Sequence, residues 1–228
     1  MLATIFSLVR QLMSVAYVLF LLRQFYRPES ALFVLPTHVF ASIALVYLWK
    51  PLKIKGEQTS LTRLLDLAAV AVCIGIICHY LRDALRIETR IDMFDPVHFG
   101  DKFAFCVGLP LLFEAVRRSG GMGLLSVVLA AFAYGFVGKY LPLWLKFPGF
   151  PFNDYVEITV LGIEGVFGVA ANAIVYVVFY FIFFGAAFSA TGGGRIFIDL
   201  AMTVTGRLVG GSAKTAVVAS ALNIPPPI

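Results

Sequence analysis

The sequence predicts an all-α fold, a polytopic transmembrane helical bundle of about six spans with an interfacial amphipathic helix, and three observations lead there. Hydrophobic residues form 60% of the 228-residue chain and charged residues only 14%, where a soluble domain has roughly half and about a quarter. Apolar runs recur at the length of about 20 residues that a helix needs to cross a bilayer core about 30 Å thick. The connectors between them are short, which favours one packed bundle over separate soluble domains.

The six runs cover residues 4–22, 31–49, 64–81, 99–116, 122–141 and 166–188. The first contains Arg10, which at a helix centre would cost about 2.5–3.5 kcal/mol, so its side chain is expected to reach toward the nearer surface. This run reads as an uncleaved anchor. No basic residue precedes Arg10, and Arg23-Gln24-Phe25-Tyr26-Arg27 is a poor cleavage region. Pro36 and Pro110 fall inside runs two and four and predict kinks there. Tyr47, Trp49, Tyr80, Tyr140 and Trp144 stand near span ends, where amphipathic rings sit at headgroup level.

Positive residues follow run two (Lys50, Lys53, Lys55, Arg63), run four (Arg117, Arg118) and run six (Arg195, Arg207, Lys214). Those loops are expected on the cytoplasmic side, with the N-terminus inside. Between runs five and six, Pro148-Gly149-Phe150-Pro151 and the polar stretch to Glu164 predict a turn into a short interfacial or re-entrant piece. After run six, Gly192-Gly193-Gly194 breaks the chain. Ile196, Phe197, Leu200, Ala201 and Val204 then share one helical face, with Asp199 and Thr203 off it, as in a helix lying in the membrane surface. A second break at Gly206 and Gly210-Gly211 precedes an apolar run over 213–222 that is too short to span. The closing Asn223-Ile224-Pro225-Pro226-Pro227-Ile228 cannot continue a helix, so a truncated or foreign tail is expected.

Several function classes fall away on composition and motif. The net charge of +5 is spread over short loop clusters and forms no basic face, which argues against a nucleic-acid partner. Cys73, Cys78 and Cys106 all lie within apolar segments without metal-type spacing, and are expected to be ordinary buried thiols. No nucleophile-elbow, zinc-protease or phosphate-loop pattern occurs, so no enzyme is expected. His38 and His79 raise a haem-binding electron-transfer anchor as an alternative, against hydrogen-bonded or interfacial histidines. Glu114 could carry a proton or an ion, but Arg117 lies three residues on and favours an ion pair. Asn172 is a candidate for a polar contact inside the bundle, against packing between helices as the more ordinary use.

Residues 153–222 carry a series of linked blocks. These are Glu164-Gly165-Val166-Phe167-Gly168, Phe183-Phe184-Gly185-Ala186-Ala187-Phe188 with Gly192-Gly193-Gly194, Phe197-Ile198-Asp199-Leu200-Ala201, Thr205-Gly206-Arg207 with Gly210-Gly211, and Ala213-Lys214 with Val217-Val218-Ala219-Ser220-Ala221-Leu222. In this order they resemble the permease of tripartite ATP-independent periplasmic (TRAP) transporters, in the fused form that works with TAXI-class binding proteins. The resemblance implies that 1–118 is a four-span, small-subunit-like domain and that 119–222 opens the large permease subunit, with 223–228 as an atypical tail. It marks Glu164, Gly165, Phe167, Gly168, Asn172, Gly192, Gly193, Gly194, Asp199, Gly206, Gly210 and Gly211 as transport-related residues.

The resemblance further implies import of organic acids or related small solutes across a bacterial inner membrane. A periplasmic solute-binding protein would deliver the solute, sodium would be the coupling ion, and membrane lipid would surround the chain. No bound cofactor is implied. Two departures stand out. Ala170-Ala171 replaces a proline followed by an apolar residue, and the glycine- and serine-rich hairpin of the family's sodium site would lie beyond Leu222, where this chain has its proline tail. The polypeptide alone is therefore not expected to transport, and a non-transporting membrane scaffold is the remaining alternative.

Overall fold

A computed structural model describes residues 2–52, 59–196, 199 and 203, and every regular element among them is helical. In chain order the α-helices are α1 Leu2–Tyr26, α2 Ala31–Trp49, α3 Ser60–Arg82, α4 Ala84–Thr89, α5 Phe99–Phe103, α6 Leu109–Val137, α7 Phe152–Val160, α8 Val169–Ala173 and α9 Phe179–Ala190. Wide π turns join α5 to α6 (Ala104–Gly108) and α8 to α9 (Ile174–Val178).

Among the described residues five stretches are long and apolar enough to cross a membrane: Ser7–Tyr26, Ala31–Trp49, Ser60–Arg82, Phe99–Tyr140 and Val169–Ala190. The fourth has 42 residues, and drawn straight it would reach about 63 Å, twice the hydrocarbon core. It is not straight. Gly121 takes φ 80° and ψ −177°, a conformation essentially confined to glycine. Beyond it the chain doubles back, so that the rings of Phe113 and Phe132 lie 5.3 Å apart and those of Phe105 and Phe132 6.0 Å apart. The fourth and fifth apolar runs are thus two legs of a helical hairpin turned at Gly121. The wide turn at Ala104–Gly108 lies just before Pro110, whose ring crowds the carbonyl four residues back and whose missing N–H frees it. The kink expected there takes this form. At Pro36, by contrast, α2 continues unbroken.

Alternation of the crossings shows in polar contacts at two ends of the bundle. At one end Arg118, after the first leg, donates to the Lys50 carbonyl after α2. At the other, Ser30 after α1 donates to Glu88 after α3, and Arg90 of that same connection pairs with Glu157 after the second leg.

The chain divides into two compact units, Met1–Val175 and Tyr176–Ile228. Residues 119–175 fall in the same unit as 1–118. In the first unit the core centres on Phe40, Tyr80 and Phe167, whose ring centroids are 5.6–6.4 Å apart. Gly108 lets the Phe40 ring lie directly on the α5–α6 backbone, where any Cβ would collide with it. In the second unit α9 is apolar throughout and has no buried residue. It stops at Thr191 and at Gly192, which has φ 78°. Residues 193–196 are helical again, and Asp199 and Thr203 are helical and exposed, with Thr203 Oγ1 donating to the Asp199 carbonyl at 2.8 Å. The remainder of the expected surface helix, Gly206, Gly210, Gly211, the run over 213–222 and the proline tail lie outside the described residues.

Two of these expectations change and one holds. Tyr47 and Tyr80 are 3% and 1% exposed, core residues and not interfacial ones, whereas Trp49, Tyr140 and Trp144 are exposed. Cys78 and Cys106 are exposed free thiols, and Cys73 alone of the three is buried. Arg10 behaves as expected of a reaching side chain, its guanidinium carbon 4.1 Å over the Trp49 ring at the end of α2.

Candidate functional site

The Glu164–Gly168 block sits where α7 ends and the chain folds back on itself. Pro148-Gly149-Phe150-Pro151 delivers the chain into α7, with Gly149 at φ 77°, as the turn chemistry predicts. Nine residues make α7 far too short to span. It buries Tyr155, Val156, Glu157, Thr159 and Val160 on one side. After it, Leu161 N–H and Gly162 N–H both donate to the Glu157 carbonyl, Val166 N–H to Thr159, and Gly168 N–H to Gly165.

This turn is tight enough to demand glycine twice. A Cβ on Gly165 would fall inside contact distance of the Ile158 and Thr159 carbonyl oxygens, and one on Gly168 against the Glu164 carbonyl. These obstacles are backbone atoms and cannot step aside. The same turn drives Phe167, 1% exposed, between Phe40 and Tyr80, and the Tyr80 hydroxyl donates to the Val160 carbonyl at 2.7 Å. Gly165, Phe167 and Gly168 thus form one built feature. Glu164 and Asn172 are both exposed. Of the departing pair, Ala171 is buried and Ala170 exposed.

Charges fix α7 in place. Glu157 accepts from Arg90 Nη2 at 2.9 Å and from the Met93 N–H at 2.6 Å, and the two paired side chains are 3% and 7% exposed. Beside them, fully buried Asp101 accepts from Arg86 (2.7 and 3.1 Å) and from the His98 N–H, and contacts His79 Nε2 at 3.0 Å. Burial is the largest influence on Arg86 and acts to lower its pKa, but hydrogen bonds and charge from Asp101 and Asp83 outweigh it and the pKa rises. The guanidinium stays charged. Burial raises the Tyr155 phenol, whose hydroxyl donates to the Phe132 carbonyl at 2.8 Å and so ties α7 to the second leg.

The opposite end has its own network. Arg118 donates to Asp66 at 2.7 Å and to Glu114 at 2.8 Å, and its guanidinium carbon lies 4.2 Å over the Tyr47 ring. Asp66 is fully buried and also accepts from the Leu52 N–H. Glu114 takes both bonds of Arg117 at 2.6 Å each, the pairing its spacing predicts. Between the ends, a cavity of about 390 Å³ is lined by residues that include His38, Ser42, Leu112, Ser119, Val166 and Ala171. His38 Nδ1 lies 2.7 Å from the Tyr17 hydroxyl, which also contacts Ser42. His38 and His79 therefore serve different polar networks, as hydrogen-bonded histidines do.

Among the described residues no three His, Cys, Asp or Glu side chains cluster in a way that would hold a metal ion. The sequence reading missed Asp66, Arg90, Asp101 and Glu157 as paired buried charges. A usable signal existed for Asp66: a carboxylate inside an apolar run requires a partner, and alternating crossings bring the start of α3 level with Arg118.

Comparison with known proteins adds one finding. The family model described as Tripartite ATP-independent periplasmic transporter, DctM component, matches residues 107–223. No curated protein and no solved structure matches. The matched stretch begins in the first leg of the hairpin, upstream of the expected start of the large subunit at 119, and includes the whole Glu164–Gly168 block.

Proposed function

We propose a role in solute import on the premise that the chain belongs to the family of the DctM component of tripartite ATP-independent periplasmic transporters. The chain is accordingly a multi-pass membrane component of a transporter, and transporters of this kind work with a periplasmic binding protein. On our reading the permease is of the fused type, resides in the inner membrane with its N-terminus in the cytoplasm, and receives organic acids or related small solutes from a TAXI-class binding protein. A sodium gradient drives import.

The observation that carries this reading is the coincidence of the family match with the hairpin and the α7 turn, both built into one body with α1 to α3. Residues 1–106, outside the match, would act as scaffold. The Arg90–Glu157 pair would transmit the anchoring of that scaffold to α7. The glycine breaks at 192–194 and 206–211 would flank an arm-like surface helix.

Uptake into proteoliposomes tests the proposal. The permease containing this sequence, reconstituted with its binding protein, is expected to accumulate a radiolabelled organic acid under an inward sodium gradient. It should not do so under an equal potassium gradient or without the binding protein. Uptake that ignores sodium would remove the coupling ion, and uptake without a binding protein would remove the tripartite mechanism. A pure scaffold would give no uptake in any arm.

A further inference from the structure

At the end of the bundle that carries Arg86 and Asp101, an open cleft of about 670 Å³ runs between α3 and the start of α5, lined by Gly75, Cys78, His79, Arg82, Asp83, His98, Phe99 and Gly100. Gly75, Cys78 and Arg82 lie three, four and seven residues apart, which places them on one face of α3. From Gly75 to Arg82 the helix rises about 10 Å, so the cleft descends from the last turn of a membrane span into its apolar part.

The two ends of the cleft differ in chemistry. At the rim, Arg82 is exposed and has no ion-pair partner among the described residues. The carboxylates nearby are already engaged: Asp83 with Arg86 and His79, and Asp101 with Arg86, His79 and the His98 N–H. At the inner end a Cβ on Gly75 would meet no atom within 4 Å and Cys78 is exposed, while Phe99, the first residue of α5 and 83% exposed, stands nearer the rim. A soluble anion matches the rim alone and a hydrocarbon matches the inner end alone. An occupant that satisfies both carries negative charge at one end and an alkyl chain at the other. Binding to anionic lipid adds electrostatic attraction of the headgroup to the burial of apolar surface, whichever leaflet the site faces.

We infer that the cleft binds an anionic phospholipid, its headgroup phosphate at Arg82 and its acyl chain along Gly75 and Cys78. The site depends on membrane insertion and on nothing in the transport mechanism, so its failure would leave the proposed function intact.

Lipid competition read by native mass spectrometry tests the inference. The full chain is purified and equilibrated with equimolar phosphatidylglycerol and phosphatidylcholine. Wild type is expected to retain phosphatidylglycerol about fivefold over phosphatidylcholine, the preference that one favourable interfacial cation supplies. Arg82→Ala should abolish that preference and Arg82→Lys should keep it. Gly75→Leu, whose Cβ enters open space, should lower retention of both lipids with the cation intact. Equal retention of the two lipids by wild type, or an unchanged preference in Arg82→Ala, would overturn the inference. Displacement by a large excess of inorganic phosphate alone would overturn it too, because the site would then recognise a soluble anion and make no use of the acyl chain.

Discussion

The two ends of the first unit solve the same electrostatic problem with different partners. At one end, Asp66 of α3 and Arg118 of the hairpin join one membrane helix directly to another, with Glu114 and the Tyr47 ring completing the surroundings of the guanidinium. At the other, Arg90 and Glu157 join a connecting loop to a short helix, and Asp101 gathers Arg86 and the His98 N–H of the same connection together with His79 of α3. The first end therefore holds the bundle together. The second decides where α7 and the glycine turn behind it sit, and that turn belongs to the family-matched stretch.

The sharpest way to break this comparison is to remove one charge from each end. Asp66→Ala leaves Arg118 buried with Glu114 as its remaining carboxylate partner. Removing one member of a buried pair costs about 3–5 kcal/mol, and because the pair joins two spans the loss should appear as a lower midpoint of global thermal unfolding in detergent. An Asp66→Ala protein that melts with wild type would mean that helix packing alone holds this end.

Glu157→Ala should cost about 3 kcal/mol by the same logic, but in a different place. It frees Arg90 and the Met93 N–H and loosens the hold on α7, so hydrogen exchange should accelerate over 91–96 and 152–168 while the global midpoint moves less than in Asp66→Ala. Uniform acceleration across α1 to α3 would show that the two ends do not divide the work.

What the sequence disclosed follows from how far apart the interacting residues lie in it. Features set within a few residues could be read directly: the apolar runs, the pairing of Glu114 with Arg117, the turn at Pro148 to Pro151, and the break at Gly192. The hairpin was legible as two runs because each leg has the length of a crossing, although only the structure shows that Gly121 makes the turn. The paired charges Asp66–Arg118 and Arg90–Glu157 are separated by whole helices, and no local period connects them. Tyr47 and Tyr80 were misplaced because a position near a span end fixes a ring's depth and not its direction, and both rings point into the bundle. The block Glu164 to Gly168 stood out only as a family pattern. Its physical reason, the collision that any Cβ on Gly165 or Gly168 would make with backbone carbonyls, depends on a turn that the sequence pattern does not reveal.

The hairpin offers a middle-sized test. Gly121→Ala places a Cβ on a residue at φ 80°, and the strain should cost about 1–3 kcal/mol. Space is not the obstacle, since a Cβ there would meet no atom within 4 Å, so the effect isolates backbone conformation. A lower unfolding midpoint with intact helical circular dichroism is expected. An unchanged midpoint would argue that the chain reverses at a different residue of 119–121.

The smallest effect belongs to Glu114, and it separates the two partners of Arg118. Asp66 is fully buried, while the Glu114 side chain is 29% exposed and shares its charge with the more exposed Arg117. Exposed pairs are worth about 0–1 kcal/mol because water and salt screen them. Glu114→Gln keeps the side chain's shape and one acceptor oxygen, and Asp66 still holds Arg118. The expected shift in unfolding midpoint is therefore slight, and it should shrink further in high salt, whereas the Asp66→Ala shift should persist there. If Glu114→Gln proved as damaging as Asp66→Ala, the guanidinium would owe its position to the outer carboxylate. The first end would then be a surface cluster, no more demanding than any other exposed ion pair.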